Sequence, residues 1–132
     1  MKLKLQEILG KMDNLTLIMT QKIPVGLAYN ISKMFNKLKD ERVIFEELRI
    51  KLCKDYCDKD DKNEPIMITD SDTNQKRYSG LEGNTEFIEK FTELSNKEIN
   101  IDFKPIPIKE LETANVLLSA QEVLALGELI GG

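Results

Sequence analysis

Residues 23–58 read IPVGLAYNISKMFNKLKDERVIFEELRIKLCKDYCD, and this stretch decides the fold. Leu27, Ile31, Met34, Leu38, Phe45, Leu48 and Leu52 recur in a 4-3-4 rhythm, the period of one helix face, and Glu41 alone interrupts the seam. Pro24 suits a first turn, where its missing N–H would have had no helical partner, and no further proline follows until Pro65. The pattern predicts one helix from about Val25 to about Asp58. At 1.5 Å per residue it is ~50 Å long, more than a domain of this size usually covers, so part of the seam has to find another surface.

The flanking elements are shorter. Upstream, Leu5, Ile8, Met12, Leu15 and Met19 fall on one helix face, and Leu3 and Leu5 alternate with Lys2 and Lys4 as in a short strand. Downstream, the charged breaker from Asp58 to Pro65 precedes two β-prone runs, Ile66 to Thr69 and Lys76 to Tyr78, separated by a polar turn in the manner of a hairpin. Asn84 or Thr85 caps a helix carrying Phe87, Ile88, Phe91 and Leu94, after which Ile99, Ile101 and Phe103 alternate with polar residues as in a half-buried strand. Pro105 and Pro107 limit that strand and favour an edge extension. Ser119 and Glu122 form a capping box, flanked by Leu118 and Val123 at the positions of a hydrophobic staple, so a short terminal helix is expected. The fold class is α+β: a long helical hairpin with a small antiparallel sheet and a short C-terminal helix.

Hydrophobic residues make up 41% of the 132 and charged residues 32%, enough apolar material for a core and unlike a disordered chain. The length predicts one domain over 1–132. A formal net charge of -4 argues against general electrostatic binding to nucleic acid or an anionic membrane, both of which need a concentrated basic field. A protein partner is favoured. No apolar run approaches the ~20 residues that span a bilayer, and the opening Met-Lys-Leu-Lys-Leu lacks the apolar stretch of a signal peptide. With only two cysteines, the expected location is the cytoplasm.

The segments Ile23-Pro24, Ala28-Tyr29, Ile31 to Lys33, Lys37, Glu46-Glu47, Arg49, Lys51-Leu52 and Tyr56, followed by Lys59-Asp60, form an order that extends through Phe87 to Phe91, Glu98 to Phe103 and Leu118 to Glu122. In this order the chain resembles an uncharacterised family of short proteins from phages and prophages of low-GC Gram-positive bacteria. The resemblance spans nearly the full chain and implies a phage origin and a bacterial host cell. It implies no activity, and it does not extend to the cysteine pair or the loop near Asp70.

Chemistry-bearing residues are sparse. Cys53 and Cys57 stand one helical turn apart, but structural zinc usually takes four ligands and the chain has no histidine and no third cysteine; no metal is expected there. Asp70, Asp72 and Asn74 match the first alternating ligands of a calcium loop, but Gln75 stands where glycine is needed and Leu81 where the closing acid would fall, so an ordinary turn is the reading. Without histidine, and without a phosphate-binding glycine motif, no enzyme is expected and no cofactor is assigned. Lys33 and Lys37 lie four apart on one helix edge, with Lys22 or Lys11 nearby; with Arg42 they are the candidate phosphate contacts. Gly131-Gly132 matches both the tail of conjugated modifiers and the simple stop of a helix, and the second reading is adopted.

These observations predict a phage-encoded binding protein that acts stoichiometrically on a host or phage protein, inhibition of antiphage defence being one such purpose. A virion or tail-assembly component is an alternative, and an oligomeric sponge for a nucleotide signal is another. The seam residues Phe45, Leu48 and Leu52, with Glu41 hydrated at the rim, are the expected interface of a homo-oligomer, a dimer being favoured.

Overall fold

The computed structural model describes residues 2–131. Its elements follow the order strand, two helices, hairpin, helix, strand, and then a closing run of short strands and helices. By its internal contacts the chain forms two compact units: the chain up to Val43 together with that from Glu98 onward, and Ile44–Lys97. The class is α+β.

In the first unit, β1 (Lys2–Lys4) pairs antiparallel with β4 (Glu98–Asn100), Leu3 standing opposite Ile99. Leu3 and Leu5 are buried, while Lys2 before them is exposed and Lys4 between them is half-buried, as the alternation requires. After one 3-10 turn the chain enters α1 (Ile8–Met19), whose buried face is Ile8, Met12, Leu15 and Ile18. Met19, expected to close that face, is exposed, and Ile18 takes its place. Ile18 lies two turns beyond Lys11, on the side from which Lys11 reaches α5 (Ala120–Leu126), the helix packed along α1. The end of α1 is closed by side chains: Thr20 Oγ1 and Gln21 Nε2 both donate to the Leu17 carbonyl, one of the acceptors a helix terminus leaves open.

The long helix α2 runs over Val25–Tyr56. The Pro24 carbonyl accepts from the Ala28 N–H, so Pro24 precedes the first turn and needs no donor of its own. Leu27, Ile31, Met34 and Leu38 are buried in the first unit, each stabilising it by about 1.5–3 kcal/mol.

The segment after β4 departs from the expected strand. Ladder pairing ends at Asn100, although Ile101 is buried and Phe103 half-buried, and pairing resumes as β5 (Ile106–Pro107). Its partner is β6 (Ile130–Gly131), and the pair is parallel, so the ladders are not all antiparallel. Proline at 105 and 107 withholds two N–H donors, which accounts for the break and for the short pairing. Pro107 then leads into an unforeseen helix, α4 (Ile108–Thr113), too short for periodicity to reveal. Helix α5 ends at Gly127, whose φ of 50° is one glycine tolerates, and Gly131 belongs to a strand rather than to a helix stop. Gly132 lies outside the described residues.

The second unit holds the rest of α2, the hairpin β2 (Met67–Thr69) and β3 (Lys76–Tyr78), and α3 (Thr85–Ser95). The hairpin is antiparallel with Ile68 opposite Arg77. Asn84 Oδ1 accepts from the Phe87 N–H and caps α3, while its Nδ2 donates to the Tyr56 carbonyl at the end of α2. One residue thus satisfies the start of one helix and the end of another. Asp58 is the other junction, since it exchanges backbone hydrogen bonds with Ile66 and Ser79 and its carboxylate accepts from Ser79 Oγ at 3.0 Å.

Candidate protein-interaction surface and lysine-lined cleft

The seam residues in the second unit meet only part of a cover. The Phe45 ring lies 6.3 Å from Phe91, Phe91 lies 5.8 Å from Phe87, and Phe87 lies 6.4 Å from Tyr56, an aromatic row between α2 and α3. So α3 supplies the intramolecular cover for Phe45. Leu52 is half-buried, but Leu48 keeps 42% of its surface exposed and Ile44, one turn earlier, keeps 51%. Ile88, Ile66 and Met67 in the same unit are exposed as well. Among the described residues of this unit, the only apolar side chains that reach full burial are Cys53 and Cys57. Glu41, in the first unit, is half-buried.

Both cysteines are free thiols, and burial pushes the Cys53 thiol up from its ordinary range, although Arg49 draws it down. Arg49 is itself engaged in a two-pronged contact with Glu46, with Arg49 Nη2 at 2.9 Å from Glu46 Oε2. Around Asp70 the geometry is that of a turn: the carboxylate accepts from the Asp72 N–H at 3.0 Å, and Asn74 adopts a φ of 54°. Among the described residues no three Cys, Asp or Glu side chains converge as a metal site would require.

In the first unit the structure brings Lys33 and Lys37 together on the wall of an open cleft of about 440 Å³, with Lys104 contributed by the segment opposite. Arg42 is not part of its lining. Lys37 Nζ donates to the Asp102 carbonyl at 2.6 Å and stands 5.2 Å from the centre of the Phe103 ring. Lys33 Nζ lies 5.3 Å from the Tyr29 ring, both residues being on the same helix one turn apart. A second cavity of about 640 Å³ adjoins the first and shares Leu27, Asn30, Pro107 and Glu110 with it. Lys104 was not legible in the sequence because it lies in the irregular segment after β4, and the second cavity was not because its far wall is the short helix α4 (Ile108–Thr113), which carries no period.

Lys11 does not belong to this basic edge. It is 7% exposed, and its Nζ donates to the carbonyls of Ala125 and Leu126 and pairs with Glu128 at 3.3 Å. A lysine in an apolar stripe is the one signal that could have marked it. Gln21 carried no local signal, because its partner is 96 residues away: its side-chain amide donates to the Leu117 carbonyl and accepts from the Leu117 N–H, clamping the loop before α5.

No helix among the described residues is long and apolar enough to cross a membrane. No protein-family model, curated protein or solved structure matches the chain.

Proposed function

We propose that this protein works by binding another protein, without catalysis, and that the surface it uses is the apolar face of the second unit around Ile44 and Leu48. One observation carries this reading: a unit of this length buries no large aliphatic or aromatic side chain fully, while Ile44 and Leu48 stand about half exposed, one turn apart on a long helix. Covering such side chains stabilises a complex by about 1.5–3 kcal/mol each, and an apolar centre with charged surroundings is the composition of a protein interface. The resemblance to phage and prophage proteins supports a host or phage protein as the partner and a bacterial cytoplasm as the setting. A second copy of this chain is the first occupant to test, because a half-exposed apolar stripe on a helix can meet its own symmetry mate in a two-fold contact.

Sedimentation equilibrium over a wide concentration range, with Ile44→Glu/Leu48→Glu as the control, tests the self-associating form. The wild-type chain is expected to dimerise, and the variant to remain a monomer with the melting temperature that the wild-type chain shows in dilute solution, where it too is monomeric. A photo-crosslinking residue at position 44 or 48, expressed in a bacterial host, tests the wider reading. A chain that is monomeric at every concentration and gives no crosslinked protein from either position would overturn it.

A further inference from the structure

We infer that the cleft of the first unit is a docking groove for an extended peptide segment of a partner protein, one that places acidic residues beside apolar ones. The two cavities share Leu27, Asn30, Pro107 and Glu110 and so form one continuous groove along the opening turns of α2. From Gly26 to Lys37 the helix rises ~16 Å, the length of about five residues of extended chain. Charge is uneven along that length: at one end stand Lys33, Lys37 and Lys104 with one acid, Asp102, while at the other a single lysine, Lys109, stands among Pro24, Gly26, Thr113 and Ala114.

Charge and aromatic geometry select the occupant. Three ammonium groups against the one carboxylate of Asp102 leave that end of the groove net basic on a chain of net charge -4, and lysines offer point charges suited to flexible carboxylates. A nucleotide fits less well. The cleft contains no arginine fork and no glycine-rich nest, and the Lys37 ammonium already stands over the ring of Phe103, the one aromatic residue of its lining, where it competes with a stacking base. Asn30 and Glu110 stand where the two cavities join and supply the donor and acceptor that a peptide backbone needs at mid-segment. This site is independent of the Ile44 and Leu48 face, and substitutions there should leave it unchanged.

The probe is a fluorescein-labelled hexapeptide of two glutamates and four apolar residues, made in both residue orders, with glutamine replacing glutamate as the control. We expect saturable binding of one order, weakened about tenfold or more in the glutamine version and by added salt. Backbone amide shifts should move along residues 26–37 and 102–114. Lys33→Glu/Lys104→Glu should weaken binding about tenfold or more, whereas Lys39→Glu, outside the groove, should change it less than twofold. Gly26→Leu gives a test that does not depend on charge. A β-carbon there meets nothing within 4 Å and Gly26 lines the groove, so a leucine side chain should obstruct it and weaken binding about tenfold or more without lowering the melting temperature. Any of three results would overturn the inference: no binding at millimolar peptide, equal binding of the glutamine version, or shifts outside the groove. Displacement of the peptide by ATP at lower concentration would reassign the groove to a phosphate ligand.

Discussion

A buried lysine is the least expected residue in this chain, and its environment explains it. Lys11 removes an ammonium group from water but gives it two carbonyls at the end of α5 and the Glu128 carboxylate, the acceptors a helix terminus leaves unpaired. Lys11→Met keeps the stem and removes the donor, so it should cost about 2 kcal/mol, read as a lowered urea midpoint. Glu128 is largely exposed, and a backbone hydrogen bond together with Lys11 holds its carboxyl below the ordinary range. A depressed carboxyl contributes stability that is complete above the ordinary carboxylate range and is lost as pH falls through its lowered value. Glu128→Gln should therefore be slightly less stable than wild type at neutral pH and equal to it in strong acid; parallel urea curves across the whole range would refute this. Gly80 gives a contrast in backbone chemistry. Its φ is 81°, and a β-carbon there would collide with the Asp58 carboxylate that Ser79 holds, so Gly80→Ala should destabilise by about 1–3 kcal/mol. Gly26→Ala, in open space at the start of α2, should be neutral or gain a few tenths of a kcal/mol.

At the scale of elements, Ser119 Oγ accepts from the Glu122 N–H at 3.1 Å while Glu122 Oε1 accepts from the Ser119 N–H at 3.2 Å, a reciprocal cap on a helix of only seven residues. A helix this short has little intrinsic stability, so Ser119→Ala should lower the unfolding free energy by about 1 kcal/mol, measured by chemical denaturation. This element was legible because capping is a local rule between residues three apart. So were α2, from a seam repeated over many turns, and the hairpin, from two β-prone runs around a polar turn. What escaped depends on distant partners: the parallel pairing of Ile106 with Ile130, the helix α4, and the exchange of Ile18 for Met19 in the core. Two prolines and a six-residue helix carry no period to read, and burial at the end of α1 depends on where α5 lies. The candidate sites divide likewise. Lys33 and Lys37 share a helix edge that spacing reveals, whereas Lys104 joins them only through the fold.

For the whole molecule, the contrast between the two units makes a prediction about α2 itself. The helix is one hydrogen-bonded ladder over Val25–Tyr56, and helix propensity alone gives no reason for its halves to differ. Their packing does. Ile31, Met34 and Leu38 are fully buried in the first unit, whereas Phe45, Leu48 and Leu52 in the second retain solvent contact. Amide protons exchange through local opening, and the free energy of opening follows the apolar contact that opening destroys. At 1.5–3 kcal/mol for each fully buried side chain, three side chains only partly buried leave the second half several kcal/mol easier to open. Hydrogen exchange of the monomer should then show a step within one continuous helix, slow through about Leu38 and faster by about a hundredfold or more beyond Phe45. The step should shrink when a partner covers Ile44 and Leu48, because a ligand that binds only the folded form raises the opening free energy of the unit that holds its site. Uniform protection from Ile31 to Leu52 in dilute, monomeric protein would show that the second unit closes its core without help, and would remove the energetic argument for a protein partner on that face.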